Sequence, residues 1–175
     1  LNLTQMTARF TLQDGLKWSD GEPLTAADSV FSYTVSADPA TDVAKVNIER
    51  TQTYVREDET TVTWTGIPGY LTLNPAAFFW SPLPEHQLTG IPITDLSSSE
   101  LTTRSPLGWG PYQVAEWVPG ESIRLEKNPN YFRAAEGLPA FDVLVYRFLY
   151  DFPETDISQA ATGECDIIDT SSGLE

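Results

Sequence analysis

A two-residue alternation of apolar and polar side chains recurs along this chain and constrains its fold more than any other feature. Ala8, Phe10 and Leu12 fall on one face, with Thr7, Arg9, Thr11 and Gln13 on the other. Successive side chains of an extended backbone point to opposite sides, so this is a half-buried strand. Thr60 to Gly66 repeats the pattern, Val62 and Trp64 against Thr61, Thr63 and Thr65. Facing threonines suit an exposed pleated surface. Ile48 to Arg56 is the expected partner strand, joined to it by the polar Glu57-Asp58-Glu59. A second hairpin is predicted from Tyr112 to Val118 and Ser122 to Lys127, around Pro119-Gly120, the residue pair of a type II turn. Phe141 to Leu149 is apolar on both faces, as a central strand of a covered sheet would be. Cys165 to Asp169 reads as a last short strand.

The helical segments are short. Thr25 is a good N-cap with Asp28 three residues later, an acidic variant of the capping box. Ala27, Val30, Phe31 and Thr34 follow at i, i+3, i+4 and i+7, which predicts their face as the apolar stripe. Asp38-Pro39 ends the helix, because a residue before proline avoids helical angles. Asn74-Pro75 opens a short helix through Phe79, another starts near Ser97 or Ser98, and a third runs from Pro153 to Thr162. Trp80 to His86 and the stretch from Asn128 to Pro139 read as irregular. The class is α+β, with mixed, mainly antiparallel sheets and short helices. A break near Pro139 divides the chain into residues 1–139 and 140–175.

Composition narrows the function. The 175 residues carry 10 Lys+Arg against 25 Asp+Glu, a net charge of −15 at pH 7. The basic residues are scattered, so nucleic-acid binding is excluded, and anionic membrane surfaces are disfavoured. One cysteine and one histidine leave no internal disulfide, no multi-cysteine metal site and no histidine-based catalytic network. Gly-x-Ser-x-Gly, the calcium-loop pattern and a phosphate-cradling glycine loop are all missing. No cofactor and no metal are expected. A carboxylate-dependent glycan hydrolase stays open on spacing alone, as does a carbohydrate-binding module built on exposed tryptophans. No apolar run approaches the ~20 residues of a membrane span. The chain starts at Leu1 inside strand-like sequence, and reads as a mature segment or an excised piece. Of the five tryptophans, Trp18, Trp64 and Trp117 are expected in the core. Trp80 and Trp109 lie in Pro/Gly-rich irregular segments, where binding residues concentrate, and are the candidate ligand contacts.

Five motifs stand in order along the chain. They are FTLQDGLKWSDGEPLTAAD at Phe10 to Asp28, Leu83-Pro-Glu-His86, PLGWGPY at Pro106 to Tyr112, Trp117 to Glu121 with Asn128 to Tyr131, and GECDI at Gly163 to Ile167. Together they resemble the family 5 extracellular solute-binding proteins, the peptide/nickel-type receptors of ABC importers. Departures from the family's pattern are Gln13, Ser29 where valine is usual, Glu85 where lysine is usual and Trp109 where threonine is usual. The resemblance implies a two-lobed periplasmic-binding-protein-like fold whose lobes close on a ligand. It implies that this chain is the N-terminal-lobe portion, residues 1–139 forming most of an extra subdomain and 140–175 returning to the first lobe. The second lobe would be missing. It further implies a non-enzymatic receptor that captures peptides or similar small solutes outside the membrane and hands them to ABC permease subunits, lipid-anchored when full length. Trp18, Asp20, Gly21, Thr25 and Asp28 are then architectural, and Cys165 occupies the place of a small, buried apolar residue.

Overall fold

The computed structural model describes residues 4–148 and 165–167. The expected helix from Pro153 to Thr162 lies outside them.

Three strands form the first sheet: β1 (Thr7–Thr11), β2 (Thr51–Arg56) and β3 (Thr61–Gly66), in the antiparallel order β1-β3-β2. The alternation places Ala8 and Tyr54 on either side of Trp64, and Phe10 beside Val62. That face is the core, with Ala26, Tyr54, Val62, Trp64 and Phe78 all buried. Trp64 stacks on Phe78 with ring centroids 4.2 Å apart, and its Nε1–H donates to Thr51 Oγ1 at 2.8 Å. Gly66 makes room for this ring, because a Cβ there would lie 2.8 Å from it.

The strand expected from Ile48 begins only at Thr51. Residues Val46–Glu49 form a helical turn, α2. β3 ends at Gly66, opposite Thr51, so residues 48–50 have no strand to pair with. Pro75–Phe78 is a 3-10 turn with proline at its start, as its sequence predicts.

Helix α1 (Ala26–Ala37) follows the tight turn of Lys17 to Pro23 and packs on β2 and β3. The capping box forms as expected: Thr25 Oγ1 accepts from the Ala27 amide at 3.2 Å, and Asp28 accepts from the Thr25 amide at 2.8 Å. The apolar stripe is corrected, since Thr34 is exposed and Ala27, Val30 and Phe31 are only half-buried. The buried positions are Ala26, Asp28, Ser29 and Ser32. Two further helical turns, α3 (Glu85–Leu88) and α4 (Glu100–Thr103), flank a 3-10 turn at Ile93–Asp95. α3 replaces the irregular end expected at His86. Ser99 caps α4, one or two residues after the expected start.

The second sheet comprises β4 (Tyr112–Val118), β5 (Ser122–Lys127) and β6 (Val143–Arg147), antiparallel in the order β4-β5-β6. The Pro119-Gly120 hairpin is as predicted, with Gly120 in the left-handed region at φ 75°. The place of β6 is corrected. It lies beyond Pro139 as an edge strand paired with β5 among the described residues, and Val145 and Tyr146 are each 55% exposed. The polar-looking β5 takes the centre among the described residues, and its charges are paired locally: Arg124 with Glu126 at 2.5 Å and Lys127 with Asp142 at 2.7 Å. Cys165 is half-buried and Ile167 is 87% exposed, with no strand over residues 165–167. This corrects the expected buried cysteine and the start of that strand.

Hydrogen bonds tie the turn before α1 to the loops that flank the second sheet. The Ser19 amide donates to Gly108 O at 2.8 Å, and Ser19 O accepts from Asn130 Nδ2 at 3.0 Å. Asn128, 1% exposed, donates through Nδ2 to Gly110 O at 2.9 Å. No helix among the described residues is long and apolar enough to cross a membrane.

Candidate functional site

The inward face of α1 is polar because it holds a strap, residues 80–86, that has no strand partner of its own. Asp28, 4% exposed, accepts the Glu85 amide through Oδ1 at 2.9 Å while its other oxygen serves the helix cap. Ser32 Oγ accepts the Leu83 amide at 2.8 Å and donates to Asp28 O at 2.9 Å.

At Trp80 the bonding closes on itself. Ser29 Oγ lies 2.5 Å from Trp80 O and 2.7 Å from the Tyr54 hydroxyl, and the Trp80 amide lies 3.3 Å from that same hydroxyl. A carbonyl can only accept, so the single Ser29 hydrogen goes to Trp80 O. Tyr54 must then donate to Ser29 Oγ, and its oxygen accepts the Trp80 N–H. Both backbone polar groups of one residue are thus satisfied by two hydroxyls, with Ser29 fully buried and Tyr54 nearly so. Burial pushes the Tyr54 phenol above its ordinary pKa, outweighing its hydrogen bonds to Ser29 and Trp80, so it keeps the proton the circuit needs.

The Trp80 ring is half-buried and braced edge-on by Tyr33 and Tyr54, at centroid separations of 4.8 and 4.7 Å. Trp109 sits elsewhere, on the bend before β4 that reaches Ser19, and is 38% exposed. No ring contact joins Trp80 to Trp109 among the described residues. Trp18 and Trp64 are buried as expected, and Trp117 is half-buried in β4.

The far end of the strap is tied to the turn between Trp18 and Gly21. His86 Nε2 lies 2.9 Å from Asp20 Oδ2, and the His86 ring packs near Trp18 at 6.4 Å. Partial burial pushes the Asp20 carboxyl upward. The His86 hydrogen bond and charge and the Glu22 amide outweigh it, holding Asp20 below its ordinary pKa. Beside this turn is an open depression of about 320 Å³ lined by Ser19, Asp20, Gln87, Ser105, Leu107 and Gln113, and neither Trp80 nor Trp109 lines it. No group of three His, Cys, Asp or Glu residues that could hold a metal ion occurs among the described residues.

Sequence reasoning placed Trp80 in a stiff loop but missed Ser29, Ser32 and Tyr54. The available signal was Ser29 itself, a polar residue where the resembled pattern has valine.

Short helices on antiparallel sheets are a fold that this chain shares with part of the two-lobed periplasmic binding proteins. The structure of the oligopeptide-binding protein AppA from Bacillus subtilis in complex with a nonapeptide superposes with a TM-score of 0.76 at 29% identity, covering 90% of this chain and 31% of that one. The ABC transporter substrate-binding protein CtaP from Listeria monocytogenes gives 0.75 at 27% identity, over 90% and 32%. In sequence, the Bacillus subtilis oligopeptide-binding protein AppA is 33% identical over 147 residues, which is 80% of this chain and 26% of that protein. The profile of the bacterial extracellular solute-binding proteins, family 5 Middle, matches residues 4–174, and the chain belongs to that family. It spans about a quarter to a third of the length of these relatives.

Proposed function

We propose that this chain is part of the solute-binding component of an ABC import system, which captures peptides or similar small solutes outside the membrane and presents them to permease subunits. The match of residues 4–174 to the family, together with relatives named for oligopeptide binding, carries the reading. The protein works by binding and closure, not by catalysis. It acts on the outer side of the cytoplasmic membrane, held there by a lipid anchor on the complete chain. Residues 1–139 form the extra subdomain of the first lobe, and residues 140–175 lead back into that lobe.

Trp80 and Trp109 contribute to the ligand cleft. Trp80 supports this by being half-exposed on a tied strap, and Trp109 by presenting an exposed ring on a Pro/Gly-rich bend. Flat rings supply contact area at low conformational cost.

The test is calorimetric titration of the complete receptor with peptides of defined length. Micromolar or tighter binding that falls in Trp80→Ala or Trp109→Ala without a matching loss of stability supports the reading. A receptor that binds no peptide overturns it.

A further inference from the structure

We infer that Ser29 and Tyr54 are positioning residues for ligand binding, and that their hydroxyl circuit sets the direction of the Trp80 ring; this rests on the reading of Trp80 as a ligand contact. Trp80 belongs to no strand or helix, so no ladder fixes its backbone. Instead, Tyr54 takes its N–H at 3.3 Å and Ser29 its C=O at 2.5 Å, and the two hydroxyls are joined at 2.7 Å.

Pinning both polar groups of one residue fixes the peptide planes on either side of it, and so the vector along which the indole leaves the chain. Two tyrosine rings then brace the indole edge-on. The trio is too closely packed to admit a cation between its rings, since neighbouring centroids are only 4.7 to 5.3 Å apart. It is therefore a support for one ring, not an aromatic cage. Trp64 offers the contrast: it is fully buried, and the ladders of β3 with β1 and β2 hold its backbone. At Trp80, which has no ladder, the two hydroxyls supply the backbone restraint. Such restraint removes the entropy lost when a side chain orders against a ligand.

Each hydroxyl holds a different polar group of Trp80, so losing either one frees that group and leaves the other held. Ser29→Ala and Tyr54→Phe are therefore expected to weaken binding by similar factors, and the double variant by more than either alone.

The experiment uses the complete receptor and, as probe, the one peptide that the wild type retains best from a tryptic digest of casein. Affinity is measured by calorimetry for Ser29→Ala, Tyr54→Phe, the double variant, Trp80→Ala and Ser32→Ala. The last loosens the strap at Leu83 without touching Trp80, and so matches the structural perturbation. Order at Trp80 is read independently from the ¹⁹F resonance of 5-fluorotryptophan at that position. The expected result is a twofold to tenfold loss of affinity in the circuit variants, with a broadened or split Trp80 resonance, and near wild-type affinity in Ser32→Ala. If Tyr54→Phe fails to fold, Ser29→Ala, which removes one atom, decides. Wild-type affinity and a single sharp resonance in Ser29→Ala, with Trp80→Ala weakened, would overturn the positioning role and leave Trp80 as a contact. Wild-type affinity in Trp80→Ala would overturn both. So would equal losses in Ser32→Ala and Ser29→Ala, as far as the circuit is concerned.

Discussion

Asp28 Oδ1 accepts the backbone amide of Glu85 at 2.9 Å, across 57 residues of chain, while Asp28 Oδ2 caps its own helix at Thr25. One buried carboxylate therefore starts α1 and fixes the strap that lies on it. Thr25→Ala removes a single cap acceptor and is expected to destabilise by about 1 kcal/mol. Asp28→Ala strands two amides and should cost about 3 kcal/mol or more, with Asp28→Asn in between. Urea unfolding of the three variants checks the order, and equal losses for Thr25→Ala and Asp28→Ala would refute it.

Trp18 and Trp64 are both buried, yet they differ in one bond. Trp64 donates to Thr51 Oγ1, whereas Trp18 Nε1 has no hydrogen-bond acceptor among the described residues. Changing either to phenylalanine removes ring volume, but only Trp64→Phe also forfeits a hydrogen bond. It should therefore be the costlier change by about 1 kcal/mol. Trp18→Ala, at a site 1% exposed, should cost about 3–5 kcal/mol. Thermal melts of the three variants test this ranking.

Gly66 is required by the Trp64 ring rather than by its own backbone angles. Gly66→Ala drives a methyl group to 2.8 Å from that ring and should cost about 1–3 kcal/mol. The loss should shrink when Trp64→Phe is added, because the far part of the indole is then gone. Gly120→Ala meets no atom within 4 Å but keeps φ 75°, so its expected cost of about 1–2 kcal/mol is backbone strain alone and is unaffected by Trp64→Phe. A double-mutant cycle with coupling for Gly120 and none for Gly66 would contradict this.

Asp20 is held below its ordinary pKa by His86 and the Glu22 amide against the pull of partial burial. A carboxyl depressed on folding contributes stability that is present above its unfolded pKa and lost as pH falls through the folded value. The Asp20 side of the strap's tie to the turn should therefore weaken below about pH 4. Asp20→Asn should flatten the melting-temperature profile in that acid range. An unchanged acid profile would show that the pair contributes nothing there.

Features set by near neighbours were legible in the sequence. Thr25 and Asp28 declare a capping box three residues apart, and Pro119-Gly120 declares a hairpin, so both were placed correctly. The buried face of α1 was not legible. Hydropathy favours Val30 and Phe31, while Ser29 and Ser32 are buried only because Tyr54, Trp80 and Leu83 arrive from 25 to 51 residues away to bond them. β6 misled for a related reason. Its side chains are apolar on both faces, but rank within a sheet follows from pairing, and among the described residues β6 pairs with β5 alone. In the candidate site, Trp80 and Trp109 were visible as aromatics in stiff loops. The hydroxyls behind Trp80 stayed hidden until the chain was folded.

The bond from Asn130 to Ser19 spans 111 residues, and it orders events in time. Each hairpin can zip within a stretch of neighbouring sequence, but this clasp closes a loop whose entropy is about 4 kcal/mol or more. It is therefore expected to form after both hairpins exist, and to open before either sheet does. Amide protons at Ser19 and in the bend of residues 105–111 should exchange with deuterium sooner than those of β3, by openings that part the two sheets while leaving each one intact.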